Sequence, residues 1–140
     1  MKQDWVWKKT PVPLKQIQEV EKVLGCELAA DLRCFIQECN GASPKNKYFK
    51  LAEGDILVFD SAINILDEGI DGSFFITMKN LEGQFPAKTF PIGFDPFGNI
   101  FYVIACKNQS PVFFWKHDNA VEDIPLSNSL QSFLEALYGD

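Results

Sequence analysis

The stretch that most constrains the fold is Pro91-Ile92-Gly93-Phe94-Asp95-Pro96-Phe97-Gly98-Asn99, running into Ile100-Phe101-Tyr102-Val103-Ile104-Ala105. Asp95-Pro96-Phe97-Gly98 reads as a tight turn. Proline presets φ at its second position, and glycine tolerates backbone angles that a side chain resists. The run behind the turn is apolar without alternation and rich in aromatic and β-branched residues. That pattern predicts a strand with both faces covered. Gly93 and Gly98 are read here as backbone requirements of the turn.

Around this unit the periodicity changes. Pro13 opens a predicted helix through Leu24, with Leu14, Ile17, Val20, Val23 and Leu24 at helical spacing and Gly25 as its stop. A second helix spans Ala29–Cys39, presents Leu32, Phe35, Ile36 and Cys39, and ends at Asn40-Gly41. Ser43–Lys50 is polar and basic and reads as a loop. Ile56–Phe59 reads as a strand, and Ser61 as the cap of a short helix bearing Ile63, Leu66 and Ile70, with a loop as the alternative. Ser73–Met78 is a second strand candidate and Gly83–Lys88 a loop. Ile100–Ala105 and Val112–Trp115 form a predicted antiparallel pair joined through Lys107–Ser110. A last helix runs from Ser127 or Ser129 to Tyr138, with Leu130, Phe133, Leu134 and Leu137 on its apolar face.

Clustered helices and short turns between strands favour an α+β fold, a single domain with helices packed on a mainly antiparallel sheet. Residues 1–12 are a lead-in pinned by Trp5 and Trp7, and 13–140 form the domain. A chain of 140 residues, 46% hydrophobic, can bury roughly two-thirds of its unfolded surface without metal or disulfide. Its 13 Phe, 3 Tyr and 3 Trp argue against disorder. Apolar runs are too short to cross a bilayer, and no apolar stretch follows Lys2, Lys8 and Lys9 as in a signal peptide. The expected address is cytoplasmic. Cys26, Cys34, Cys39 and Cys106 contain no close C-x-x-C pair and are expected as free thiols.

Candidate chemistry is thin. His117 is the single histidine, and His117-Asp118 follows a strand where a turn explains it. The neighbouring carboxylates Asp67/Glu68 and Glu122/Asp123 diverge on a strand or helix alike, which does not suit paired acid–base work. Gly93 and Gly98 are not followed by the Lys-Ser/Thr of a phosphate loop. The aromatic strands have only Lys107 and Lys116 nearby, which favours core packing over base stacking. No enzyme activity, cofactor or metal is expected.

Charge is unevenly placed. Between Leu51 and Phe75 stand Glu53, Asp55, Asp60, Asp67, Glu68 and Asp71 with no lysine or arginine. These six acids equal the whole net charge of −6, so the rest of the chain balances. An acidic stretch disfavours direct nucleic-acid binding, and it reads either as a solvated set of loops and helix edges or as a partner-facing protein surface.

Three blocks in order carry a family resemblance. They are Ile17-x-x-Val20-Glu21-x-x-Leu24-Gly25 with Leu28-x-x-Asp31-Leu32-x-x-Phe35-Ile36 and Asn40-Gly41; then Pro91 to Asn99; then Val112 to Asp118 with Ser132-Phe133-Leu134-Glu135-x-Leu137. Over Pro13–Tyr138 the chain resembles the SUKH superfamily, which includes the yeast cell-wall-synthesis regulator and many bacterial immunity proteins. Ala29-Ala30 departs from the family pattern, which has a proline just after the leucine. The resemblance implies a non-catalytic cytoplasmic protein that binds and neutralises a cognate toxin domain. It also implies that Gly25, Asn40, Gly41, Gly93, Asp95, Gly98 and Trp115 serve the fold. Nucleases hold phosphate in basic clefts, so an acidic inhibitor face formed by the six acids would be steered onto one. Asp67, Glu68 and Asp71 are the sharper candidates, near Gly69 and Gly72. The alternatives are an intracellular regulatory scaffold like the eukaryotic members, or a small-molecule sensor.

Overall fold

The first described element is a short strand, β1 (Trp5–Val6), after which Pro13 caps helix α1 (Leu14–Leu24) and Gly25 closes it in the left-handed region at φ 75°. The computed structural model describes residues 5–6, 12–66, 73–84, 88–116 and 123–139. Ile17, Val20 and Leu24 face the core, whereas Leu14 and Val23, expected on the same face, are exposed. Helix α2 (Ala30–Cys39) follows. Ala29 takes the position where the family pattern has proline, and its φ of −61° would admit one. Its N–H, however, bonds the Ala105 carbonyl at 2.9 Å, a bond proline cannot make.

The segment expected as a loop instead holds two strands. β2 (Ser43–Pro44) pairs with β1, and β3 (Tyr48–Lys50) pairs with β4 (Ile56–Val58), both antiparallel. Ser61 caps no helix: β5 (Ser61–Ala62) pairs with Phe94 and Gly93, and the Ile63 N–H bonds the Ile92 carbonyl. Ile70 lies outside the described residues. The expected strand at 73–78 is helix α3 (Phe74–Asn80), with the Ser73 hydroxyl accepting the Ile76 N–H. Its aromatic and β-branched composition suggests a strand, but Phe74, Thr77 and Leu81 recur at helical spacing and are buried.

The main sheet is formed by β5, β6 (Thr89–Phe94), β7 (Ile100–Ile104), β8 (Val112–Trp115) and β9 (Asp123–Ser127), antiparallel in that order. Pro125 hides β9 in the sequence; an edge strand tolerates it. Helix α4 (Leu130–Ala136) closes the fold, with Ser129 and Ser132 exchanging capping bonds. Among the described residues the architecture is thus a single α+β domain, with four helices, the five-stranded sheet and two small sheets.

Both faces of β7 are covered, as its pattern requires. Phe101 and Val103 join Phe59, Phe114 and Phe133 in the main core, where the Phe59–Phe101 and Phe101–Phe114 rings lie 5.1 and 4.9 Å apart. Ile100 and Tyr102 pack with Trp115 and Leu81 on the other face. Trp5 meets Phe35 and Phe59 edge-on, tying β1 to the core; Trp7 lies outside the described residues.

Two of the four cysteines are not free. Cys26, just past α1, and Cys106, just past β7, form a disulfide with Cα atoms 6.2 Å apart. Their separation of 80 positions conceals the pairing in sequence. The fold juxtaposes them by seating the start of α2 on the β7–β8 connection through Ala29 N–H to Ala105, Ala30 N–H to Asn108 Oδ1, and Gln109 N–H to Asp31 Oδ2. Cys34 and Cys39 form no disulfide, one exposed and one buried, on different sides of α2.

Candidate partner-binding surface

The acidic region begins on the β3–β4 hairpin. Its turn closes through Leu51 N–H to the Asp55 carbonyl (2.8 Å) and Gly54 N–H to Leu51 (2.9 Å). This holds Glu53 and Asp55, both exposed, together at the tip. Asp60 lies beyond the other end of β4, on the order of 16 Å from Asp55 at strand spacing. Its N–H bonds the Phe94 carbonyl, and its carboxylate lies 3.6 Å from Lys47 Nζ. Both side chains are partly exposed, so the pair adds less than about 1 kcal/mol and weakens with salt.

The composition of residues 45–60 conceals a division that the pairing creates. Lys45, Lys47 and Lys50 lie on or before β3, and Glu53, Asp55 and Asp60 on the turn and around β4. The hairpin is neutral in sum, with a basic limb beside an acidic limb. Reading 43–50 as a loop misses this; the signal is Tyr48-Phe49-Lys50, where buried Phe49 sits between two less buried neighbours. Asp67, Glu68 and Asp71 lie outside the described residues.

The described chain on either side of those three acids is held at one point. Asn40, buried at the end of α2, accepts the Ile65 N–H through Oδ1 (2.7 Å) and donates through Nδ2 to Asn64 Oδ1 (2.9 Å). Asn64 Oδ1 also accepts the Leu66 N–H, and its carbonyl accepts the Phe74 N–H. Gly41 adds an N–H to the Ile63 carbonyl. The Asn-Gly end of the helix therefore anchors residues 63–66 and, through Asn64, residue 74.

The second motif block builds a rigid turn. Asp95 Oδ1 accepts the N–H groups of Phe97 and Asn99, and Oδ2 accepts from Asn99 Nδ2. Gly98 completes it at φ 86°. Gly93 is not part of the turn. It is bare because a Cβ there would meet the Phe59 ring and lie 2.5 Å from the Ser61 carbonyl. Phe97 is 79% exposed at the tip. Trp115 pairs with Ile100 and packs with the outer cluster. There Tyr102 stacks on Phe113 with centroids 5.2 Å apart. Burial, with a bond to Asp123 and that carboxylate's charge, raises the Tyr102 phenol far above its ordinary range.

Among the described residues no group of three or more His, Cys, Asp or Glu side chains is placed to hold a metal ion, and no helix is long and apolar enough to cross a membrane. His117 lies outside the described residues. What the site offers is exposed carboxylates, a polarised hairpin and a fixed aromatic turn, which are means of binding. No curated protein matches the chain. A family model does, over residues 11–136, a span containing the helix pair with its Asn40-Gly41 end, the Asp95 turn and the Trp115 strand. The chain belongs to the SMI1 / KNR4 family (SUKH-1).

Proposed function

We propose that this chain is a non-catalytic immunity protein that binds and neutralises a cognate toxin domain with nuclease-like chemistry. The family match over residues 11–136 carries this reading, since members of the family are typically toxin immunity proteins. Glu53, Asp55, Asp60, Asp67, Glu68 and Asp71 supply the acidic surface, with the last three the sharper candidates. Such a surface would be drawn to a basic substrate cleft and compete there with phosphate. Gly25, Asn40, Gly41, Gly93, Asp95, Gly98 and Trp115 hold the scaffold that presents it.

A sensor would need a pocket. One depression among the described residues, bordered by Asp31, Leu32, Val103 and Leu130, holds ≈ 170 Å³ of space that includes open solvent, less than the roughly 300 Å³ at which small-molecule sites begin. The proposed place of action is the cytoplasm. The Cys26–Cys106 disulfide bears on that address, because cytosolic thiols are kept reduced in most cells.

The test is a pull-down with this chain as bait from cells co-expressing the neighbouring reading frames. One stoichiometric toxin-domain partner, released by high salt, is the expected result. Recovery of regulators or cell-envelope factors instead would favour the scaffold reading.

A further inference from the structure

The acidic limb of the hairpin ends in an open sheet edge. We infer that the outward side of Ile56–Val58 receives an extended, lysine- or arginine-bearing segment of a protein partner by strand addition. The inference rests on the protein-binding reading above and names the contact.

Backbone direction along β4 is set by its bonds. The Asp55 carbonyl accepts from Leu51, and the Phe59 N–H donates to Lys47 at 2.7 Å. Asp55, Leu57 and Phe59 therefore turn their backbone groups toward β3, and Ile56, Val58 and Asp60 turn theirs away. The Asp60 N–H meets the Phe94 carbonyl at the end of β6. Past Phe94 the chain leaves for the Asp95–Asn99 turn, so β6 does not continue along Val58 and Ile56. Among the described residues nothing bonds the outward N–H and carbonyl groups of these two residues.

Such an edge is a template for another strand unless it is covered. Here the side chains favour occupation. Ile56 is 54% exposed and Val58 half-buried. Phe97 stands out on the turn where β6 departs. Charge selects the occupant: Glu53 and Asp55 are exposed at one end of the edge with no ion-pair partner among the described residues, while the lysines lie toward β3. A basic strand would find carboxylates at the tip, two backbone donors and two acceptors along β4, and apolar contact at Ile56.

The experiment is residue-resolved amide hydrogen exchange on the full chain. It is run free and with a blocked heptapeptide alternating Lys and Val, against a Glu/Val heptapeptide as control. In the free protein the Ile56 and Val58 amides exchange fast and those of Leu57 and Phe59 slowly. The Lys/Val peptide slows Ile56 and Val58 by at least about tenfold, and the Glu/Val peptide does not. Val58→Pro removes an outward N–H that β3 does not use, so the fold is kept while peptide affinity falls about tenfold. Slow exchange at Ile56 and Val58 in the free protein, protection elsewhere, or no peptide binding overturns the inference. Those outcomes leave toxin neutralisation to its own assay, since the probe is a defined peptide.

Discussion

Asn40 donates its side-chain amide to Asn64 Oδ1 at 2.9 Å, and so joins the end of α2 to the chain entering the acidic segment. The same residue receives the Ile65 N–H, so one buried side chain holds residues 64 and 65, which precede Asp67, Glu68 and Asp71 in the sequence. A helix terminus thereby becomes the support of a proposed binding surface.

Asn40→Ala leaves the Ile65 N–H buried without its acceptor. The expected cost is about 1–3 kcal/mol, read as a lower urea midpoint at unchanged slope. If Asn40 also sets the acidic segment, the variant loses partner affinity under conditions where it remains fully folded.

Gly93→Ala drives a methyl group into the Phe59 ring and the Ser61 carbonyl. Overpacking of this kind costs about 1–3 kcal/mol, and thermal unfolding followed by circular dichroism measures it. An unchanged midpoint would show that β5 and Phe59 can move aside.

The Cys26–Cys106 bond closes a span of 80 positions. The chain-entropy argument gives about 4.5 kcal/mol for such a loop. Paired Cys26→Ser and Cys106→Ser changes are expected to lower stability by up to that amount and leave a folded protein, because three hydrogen bonds cross the same seam. Thiol titration of the unreduced, denatured wild type should find two free thiols; finding four would mean that the pair is open.

Tyr102 gives a pH signature. Its phenol titrates far above the ordinary value near 10, chiefly through burial and then through Asp123. Folding therefore favours the protonated form. Its contribution is fully present below pH 10 and is lost as pH rises above that, where the unfolded chain releases the proton and the folded chain does not. Tyr102→Phe is expected to cost about 1 kcal/mol at neutral pH through the lost bond and to flatten the alkaline loss of stability.

Much of this fold was legible in the sequence where local chemistry and burial agree. Pro13 and Gly25 bracket α1, the Asp95 turn precedes β7, and Ser129 caps α4. Legibility failed where partners are distant. Ser61 resembles a helix cap, but Phe94 and Gly93 claim its backbone for the sheet. Phe74-Phe75-Ile76-Thr77 has strand-like composition, yet Ser73 caps a helix there. Cys26 and Cys106 meet only because α2 docks on the β7–β8 connection. For the candidate surface, the sequence displayed the acids but not the lysine limb paired beside them. The open edge of β4 depends on where β6 turns away, which no local pattern encodes.

The measurement that tests the account most directly is titration calorimetry of the purified chain against the toxin-domain partner that the pull-down is expected to recover. The wild type is compared with the triple variant Asp67→Lys, Glu68→Lys, Asp71→Lys, each at low and high salt. The account predicts a one-to-one complex whose affinity falls at least about tenfold on charge reversal and weakens with salt in the wild type. Equal affinity for both proteins, insensitive to salt, would contradict an acidic neutralising face.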